Sequence, residues 1–204
     1  MRKEFEQPAT DETIDKVVAA LTANNIEAVV AASREEARRR VLELVPDGAE
    51  VNWAKSKTLE DLGLDKEFLD SGRYDPLRSR YMKMDRATQG REIRKLIAAP
   101  DFMLGSVNAV TEDGALVTVS YSASQLGPYA SGAGRLILVA GTQKIVANLD
   151  EAMRRIREHA FPYEDARLQE TLGVPTKAAK VLIIHAEARR GRTTVFLVKE
   201  LVGI

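Results

Sequence analysis

The 204-residue chain contains no cysteine. This absence excludes disulfides, a thiolate nucleophile and a cysteine-ligated iron–sulfur cluster within the chain. Histidine is nearly as scarce, because His159 and His185 are the only two and they stand far apart. Two isolated histidines do not complete the usual zinc ligand sets. We therefore expect no metal site and no bound cofactor, although a carboxylate-bound magnesium ion stays open.

An excess of charge of either sign is also missing, since 30 basic residues balance 30 acidic ones. Nucleic-acid binding needs clustered positive charge, so nucleic acid is not an expected partner. No stretch approaches the ~18 apolar residues of a membrane span. The first residues, MRKEFEQPATDET, lack an apolar core of signal-peptide length. These absences predict a cytoplasmic protein without membrane insertion.

What the sequence does contain is an alternation of helix and strand patterns. Apolar residues at helical spacing from Ile14 to Leu21 predict an amphipathic helix. A β-branched run at 26–32 predicts a buried strand, and Ser33 with Glu36 forms a capping box that begins the next helix. A second strand follows at 50–54. This order predicts parallel strands joined by crossover helices.

The second half continues this alternation. Apolar runs bounded by glycine at 115–120 and 135–140 predict buried strands, and Asn148 caps the helix that follows. Two further strands are predicted at 181–185 and 194–198. The short Gly-containing connection between them favours an antiparallel hairpin. Neither a repeat nor a low-complexity linker interrupts the chain, so residues 1–204 are interpreted as one α/β domain with a mostly parallel sheet.

Polar residues follow several of the predicted strands. In open α/β sheets, ligands bind outside the carboxyl ends of the strands. We therefore predict a site for a small anionic metabolite there. Its candidate ligand-binding residues are Lys55, Ser56, Thr58, Asn108, Gly114, Ser124, Gln125, Gly141, Thr142 and Lys144. The alternative is structural, because a capped short helix with solvated lysines explains 55–58 and a plain connection explains 122–134.

Glu112 is the candidate catalytic residue. It stands in the segment 111–114, where a hairpin turn accounts for Asp113 and Gly114 but not for Glu112. A carboxylate between two buried strands can be desolvated, which raises its pKa and suits a general base or a nucleophile. A purely structural turn is the alternative interpretation.

Four segments together resemble the lactate-utilisation (LUD) domain family. They are AVTEDGALVTVSYSAS, GAGRLILVAGTQKIVANLDEAMRRI, FPYEDAR and KVLIIHAEARRGRTTVFLVKELVGI. The resemblance runs from about Thr13 to Ile204, and its most specific part is the strand followed by Gly-x-x-Lys-Ile-Val and a helix. It implies the three-layer α/β/α fold of the sugar-phosphate isomerase and CoA-transferase superfamily.

The resemblance also implies a function. The family takes its name from the small subunit of bacterial lactate-utilisation operons, which acts with separate iron–sulfur subunits in oxidising L-lactate to pyruvate, and a chain without cysteine fits such a role. The sequence is most similar to a short branch of the family whose members mostly lack an assigned activity. The family's Ala-Glu-Thr-Gly-type segment corresponds to Thr111–Gly114, and CoA transferases place a nucleophilic glutamate in a similar turn. On that basis Glu112 is the residue carried over, although Asp113 departs from the pattern.

Three functional hypotheses follow. The chain is a metabolite-binding subunit linked to organic-acid utilisation, or a transferase or isomerase that uses Glu112, or a non-catalytic assembly or regulatory subunit. A second copy of the chain, in a homo-oligomer, is a further partner hypothesis.

Overall fold

A sheet of six parallel strands forms the middle of the molecule. The computed structural model describes residues 2–204, except for the side chain of Leu172. The strands lie in the order β1-β10-β7-β4-β2-β3. Every neighbouring pair is parallel, so all six carboxyl ends lie at one edge. Their bounds are β1 Glu27–Ala31, β2 Glu50–Trp53, β3 Asp75–Pro76, β4 Phe102–Gly105, β7 Arg135–Gly141 and β10 Thr193–Val198. The predicted α/β class with a mostly parallel sheet is confirmed.

Eight α-helices accompany the strands in the described residues. Their bounds are α1 Asp11–Ala23, α2 Arg34–Leu44, α3 Lys57–Asp61, α4 Leu64–Asp70, α5 Leu77–Tyr81, α6 Gly90–Ala98, α7 Leu149–Arg155 and α8 Phe161–Leu172. A π-helical turn, Ile156–Ala160, joins α7 to α8 and accommodates Pro162 at the start of α8. The side chain of Ser33 accepts a hydrogen bond from the Glu36 amide at 3.2 Å, which confirms the predicted start of α2.

Successive residues of the central strands point to opposite faces of the sheet and fill two cores. In β7, Ile137 and Val139 pack with helices α2, α3 and α4. Leu136 and Leu138 pack on the other face, against α1 and the second sheet. The period of two along a strand explains this division. Because both faces are covered, the central strands are continuous apolar runs, and the three layers form as predicted.

A second sheet of four strands lies on the α1 side, in the order β8-β5-β6-β9. Its strands are β5 Ala109–Thr111, β6 Leu116–Ser120, β8 Ile145–Val146 and β9 Lys180–Ile184. The predicted hairpin of the last two strands is corrected here. Both strands exist, but β9 pairs antiparallel with β6, whereas β10 lies between β1 and β7. The fully buried β10 belongs in the parallel core, while half-exposed β9 suits an outer strand.

Candidate functional site at the carboxyl edge of the parallel sheet

A buried lysine lies where three strands of the parallel sheet end. Lys144 closes a 3₁₀ turn that follows β7 and is only 3% exposed. Its Nζ donates hydrogen bonds to Oγ1 of Thr58 at 2.9 Å and to Oγ of Ser106 at 2.9 Å. A third bond reaches the carbonyl oxygen of Val107 at 3.2 Å. The two hydroxyls are themselves 3.1 Å apart, so the three side chains form one cluster.

The order of the strands explains why these residues meet. Strand β4 lies between β2 and β7, and all three run in the same direction. Thr58 follows β2 at the start of α3, Ser106 follows β4 directly, and Lys144 follows β7. The sequence predicted Thr58 and Lys144 but missed Ser106. In the sequence the moderately apolar pattern continues from 102 to 110, whereas β4 ends at Gly105, and a strand end at Gly105 would have identified Ser106.

Burial sets the electrostatics of this cluster. Burial and, to a lesser extent, the positive charge of Arg155 lower the pKa of Lys144 to about 7, although the Asp61 carboxylate acts in the opposite direction. Asp61 itself forms an ion pair with Lys57. In residues 2–204, no carboxylate oxygen lies within ion-pair distance of the Lys144 Nζ. At neutral pH this amine is therefore divided between its charged and neutral forms, and it can bind an anion or exchange a proton.

The last four residues cover the cluster, and we call Leu201–Ile204 the covering segment. The Gly203 amide donates to Oδ2 of Asp61 at 2.8 Å, and Nε2 of Gln143 donates to the Val202 carbonyl at 2.9 Å. Gly203 has a φ of +71°, and a β-carbon added there would lie 2.0 Å from Oγ1 of Thr58 and 3.0 Å from Nζ of Lys144. Only glycine fits this close approach.

Replacing Gly203 with alanine is expected to displace the covering segment and expose Lys144. The added methyl group would collide with Thr58, and the positive φ adds about 1 kcal/mol of strain. The measurement is the rate of Lys144 acetylation by an amine-reactive ester, followed by peptide mass spectrometry. Gly72→Ala is the matched control, since Gly72 has the same φ of +71° with no atom within 4 Å of an added β-carbon. Equal acetylation rates in the two variants would contradict the covering role.

Several predicted residues lie outside the cluster. Lys55 and Ser56 follow β2 at the same edge, where they line a shallow surface depression with Trp53 and Arg78. Ser124 and Gln125 follow β6 of the second sheet and bond to each other at 3.4 Å. Gly141, Thr142 and Gln143 lie directly beside Lys144 in the chain, and the hydroxyl of Thr142 is buried without a hydrogen-bond partner among the described residues.

Glu112 lies in the turn between β5 and β6 of the second sheet, and its carboxylate binds Nζ of Lys16 on α1 at 2.6 Å. Its side chain is 30% exposed. The prediction that this carboxylate is desolvated is therefore corrected, because it is partly exposed and paired with a surface lysine. The other two predicted residues nearby serve the fold. Asn108 accepts the Val119 amide at 2.7 Å, and Gly114, with a φ of +87°, packs on the backbone of α1.

The comparisons with known proteins agree with this architecture. The model of the LUD domain matches residues 14–199. The chain belongs to the LUD domain family. Membership relates this LUD domain protein to lactate utilisation. No curated protein matches its sequence.

The chain is also similar to solved structures at low sequence identity. A DUF162 family protein from Deinococcus radiodurans is 12% identical, and the alignment covers 94% of this chain and 98% of that protein with a TM-score of 0.50. A D-ribose-5-phosphate isomerase is 14% identical over 83% of this chain and 95% of its own, with a TM-score of 0.42. The delta subunit of eIF2B from Chaetomium thermophilum is 14% identical over 70% of this chain and 55% of its own, with a TM-score of 0.34.

One further observation concerns membranes. Among residues 2–204, none of the helices combines the length and the apolar character that a bilayer crossing requires.

Proposed function

We propose that this LUD domain protein binds a small organic-acid anion at the carboxyl edge of its parallel sheet, with Lys144 as the charged partner. The observation that carries the proposal is the buried Lys144 amine, whose three hydrogen-bond partners are all uncharged oxygens. A buried ammonium group is stable only when it is paired and hydrogen-bonded. An anionic ligand would supply the missing charge.

Thr58 and Ser106 complete the chemistry of such a site. Each hydroxyl now accepts a hydrogen bond from Lys144, and each can rotate to donate its own proton to a carboxylate. Two hydroxyl donors and one cation match the oxygens of a carboxylate group. The covering segment encloses these three side chains, so we propose that it moves when the anion enters and shields the bound anion from water afterwards.

The wider context of this proposal comes from the family. A protein related to lactate utilisation needs to recognise 2-hydroxy or 2-oxo carboxylates, and L-lactate and pyruvate are the first ligands to test. The chain has no cysteine and holds no cluster of its own through thiolates. Iron–sulfur partner subunits, a homo-oligomer and a cytoplasmic location remain predictions.

The proposal is tested by the thermal stability of the protein in a series of small carboxylates. A ligand that binds only the folded state raises the free energy of unfolding by about 2.7 kcal/mol at a hundred times its Kd. We expect a carboxylate to raise the melting temperature of the wild type and of the Lys199→Met control, but not of Lys144→Met. Lys199 is a suitable control because it is an exposed lysine paired with Asp11.

The variant Glu112→Gln distinguishes this proposal from the hypothesis of a transferase or isomerase that uses Glu112. Because Glu112 binds Lys16 rather than the Lys144 cluster, we expect its substitution to leave the carboxylate-induced shift intact. Loss of that shift in Glu112→Gln, with retention in Lys144→Met, would contradict the proposal and favour the transferase or isomerase hypothesis. An absence of any shift in every carboxylate would also contradict it and favour an assembly role.

A further inference from the structure

A second buried cation lies next to the Lys144 cluster. Arg155 ends α7, and its side chain is completely buried. Its Nη1 donates to the carbonyl oxygen of Asn108 at 2.6 Å. Its Nε and Nη2 are buried without a hydrogen-bond partner among the described residues. A guanidinium group with a purely structural role normally uses more of its donors, because each buried donor without a partner is destabilising.

Arg155 and Lys144 are held on neighbouring carbonyl groups. Lys144 binds the carbonyl oxygen of Val107, and Arg155 binds that of Asn108, the next residue in the chain. The two charges are close enough for Arg155 to lower the pKa of Lys144. Burial also lowers the pKa of Arg155, to about 10, so this side chain remains charged at neutral pH. A buried guanidinium charge therefore acts directly on the buried Lys144 amine.

The surroundings of this pair do not neutralise it. Asp61 is the acidic group that acts on Lys144, and it is already bound to Lys57. His159, one turn beyond Arg155, is also buried, and its pKa is lowered by burial and by the charge of Arg155. The Phe5 ring lies over the guanidinium with its centroid 5.9 Å away. A cation–π contact of this kind offsets only a small part of the cost of burying a charge.

More polar atoms are unsatisfied in the turn that carries Lys144. The hydroxyl oxygen of Thr142 and Oε1 of Gln143 are buried without partners in the part of the chain that the structure describes. Both residues belong to the turn that carries Lys144. The site therefore combines two cations, unpaired guanidinium donors and two unused acceptors, which suits a ligand with two anionic groups and a hydroxyl.

We infer that Lys144 and Arg155 together bind a small dianion, either a dicarboxylate or a phosphate monoester, in preference to a monocarboxylate. This inference rests on the proposed function and names the charge class of its ligand. Lys144 and the hydroxyls of Thr58 and Ser106 contact one anionic group, and the free edge of the Arg155 guanidinium contacts the other. Guanidinium groups bind carboxylates and phosphates through two parallel hydrogen bonds, which the unused Nε and Nη2 can form.

The test compares the affinities of L-lactate, succinate and glycerol 3-phosphate by titration calorimetry on the full chain. We expect one of the two dianions to bind the wild type at least about tenfold more tightly than lactate. Tighter binding of succinate would identify a dicarboxylate as the ligand class, and tighter binding of glycerol 3-phosphate would identify a phosphate monoester. Arg155→Met is expected to abolish this preference, because each dianion loses a partner for its second anionic group whereas lactate has no second anionic group to lose.

Arg155→Lys is the second variant, in case removal of the buried side chain prevents folding. It keeps the positive charge but loses the two parallel donors. We therefore expect the preference for the dianion over lactate to fall by several fold without disappearing. A wild type that binds lactate as tightly as either dianion would overturn the inference and leave the proposed function intact. The inference would also be overturned if Arg155→Lys preferred the dianion over lactate as strongly as the wild type does. No binding of any of the three anions would contradict the proposed function as well.

Discussion

Replacing Lys144 with methionine is expected to flatten the dependence of the unfolding free energy on pH between about 7 and 10. In the folded protein the pKa of Lys144 is lowered from 10.5 to about 7 by burial. Within this window the unfolded chain binds a proton that the folded protein does not. Stability contributed by this group therefore rises with pH, by up to about 1.4 kcal/mol per pH unit, and is lost as the pH falls toward 7.

The measurement is urea denaturation of the wild type and of Lys144→Met at several pH values. The difference between their unfolding free energies should grow in favour of the wild type as the pH rises. Burial raises the pKa of Tyr81 and Tyr129, but those groups titrate above this window and are present in both proteins. Lys199→Met, which removes an exposed lysine, should follow the wild type. Parallel curves for the wild type and Lys144→Met would show that the amine remains charged in the folded protein.

Replacing Arg192 with methionine is expected to destabilise the protein by about 3–5 kcal/mol. Arg192 is buried and forms an ion pair of 2.6 Å with the buried Glu187. Its Nη2 also donates to the carbonyl oxygens of Pro128 at 2.9 Å and of Tyr129 at 3.0 Å. Loss of the guanidinium leaves a buried carboxylate without its counter-charge and removes one hydrogen-bond donor from each of these carbonyl groups, which explains the size of the expected effect.

Chemical denaturation at neutral pH checks this prediction. Glu187→Gln should cost less than Arg192→Met, since an amide still accepts hydrogen bonds from Arg192 and Thr193. Arg39→Met is the matched surface control because Arg39 pairs with Glu43 in an exposed i,i+4 arrangement, and we expect a change below about 1 kcal/mol. A loss in Arg192→Met no larger than in Arg39→Met would show that the buried pair contributes nothing to stability.

The parts of the fold that the sequence predicted depend on local patterns. The capping residue Ser33, the helix starting after Asn148 and the apolar runs at 115–120 and 135–140 each specify one element without reference to the rest of the chain. Thr58 and Lys144 were also predictable from a local pattern, because each follows a predicted strand. Residues after parallel strands lie at one edge of the sheet whatever the strand order, so their place at that edge required only that the strands be parallel. Their contact required in addition that β4 lie between β2 and β7.

The parts that could not be predicted depend on which distant segments pair. Nothing in the strand β9 indicates that its partner is β6 rather than β10. Glu112 looked desolvated because its neighbours are apolar strands, but Lys16, far away in the sequence, supplies its partner. Arg155 stands beside the apolar face of α7 and looks like a solvated residue, and only the placement of α7 against the second sheet buries it.

Proton uptake on anion binding tests the central claim most directly. An anion beside Lys144 favours the ammonium form, so it raises the pKa of this amine from about 7. We expect calorimetric titrations at about pH 8, in two buffers of different ionisation enthalpy, to show that the wild type takes up a large fraction of one proton per bound carboxylate. Lys144→Met should show neither the binding nor the uptake. Carboxylate binding without proton uptake, or equal binding to Lys144→Met, would contradict the account.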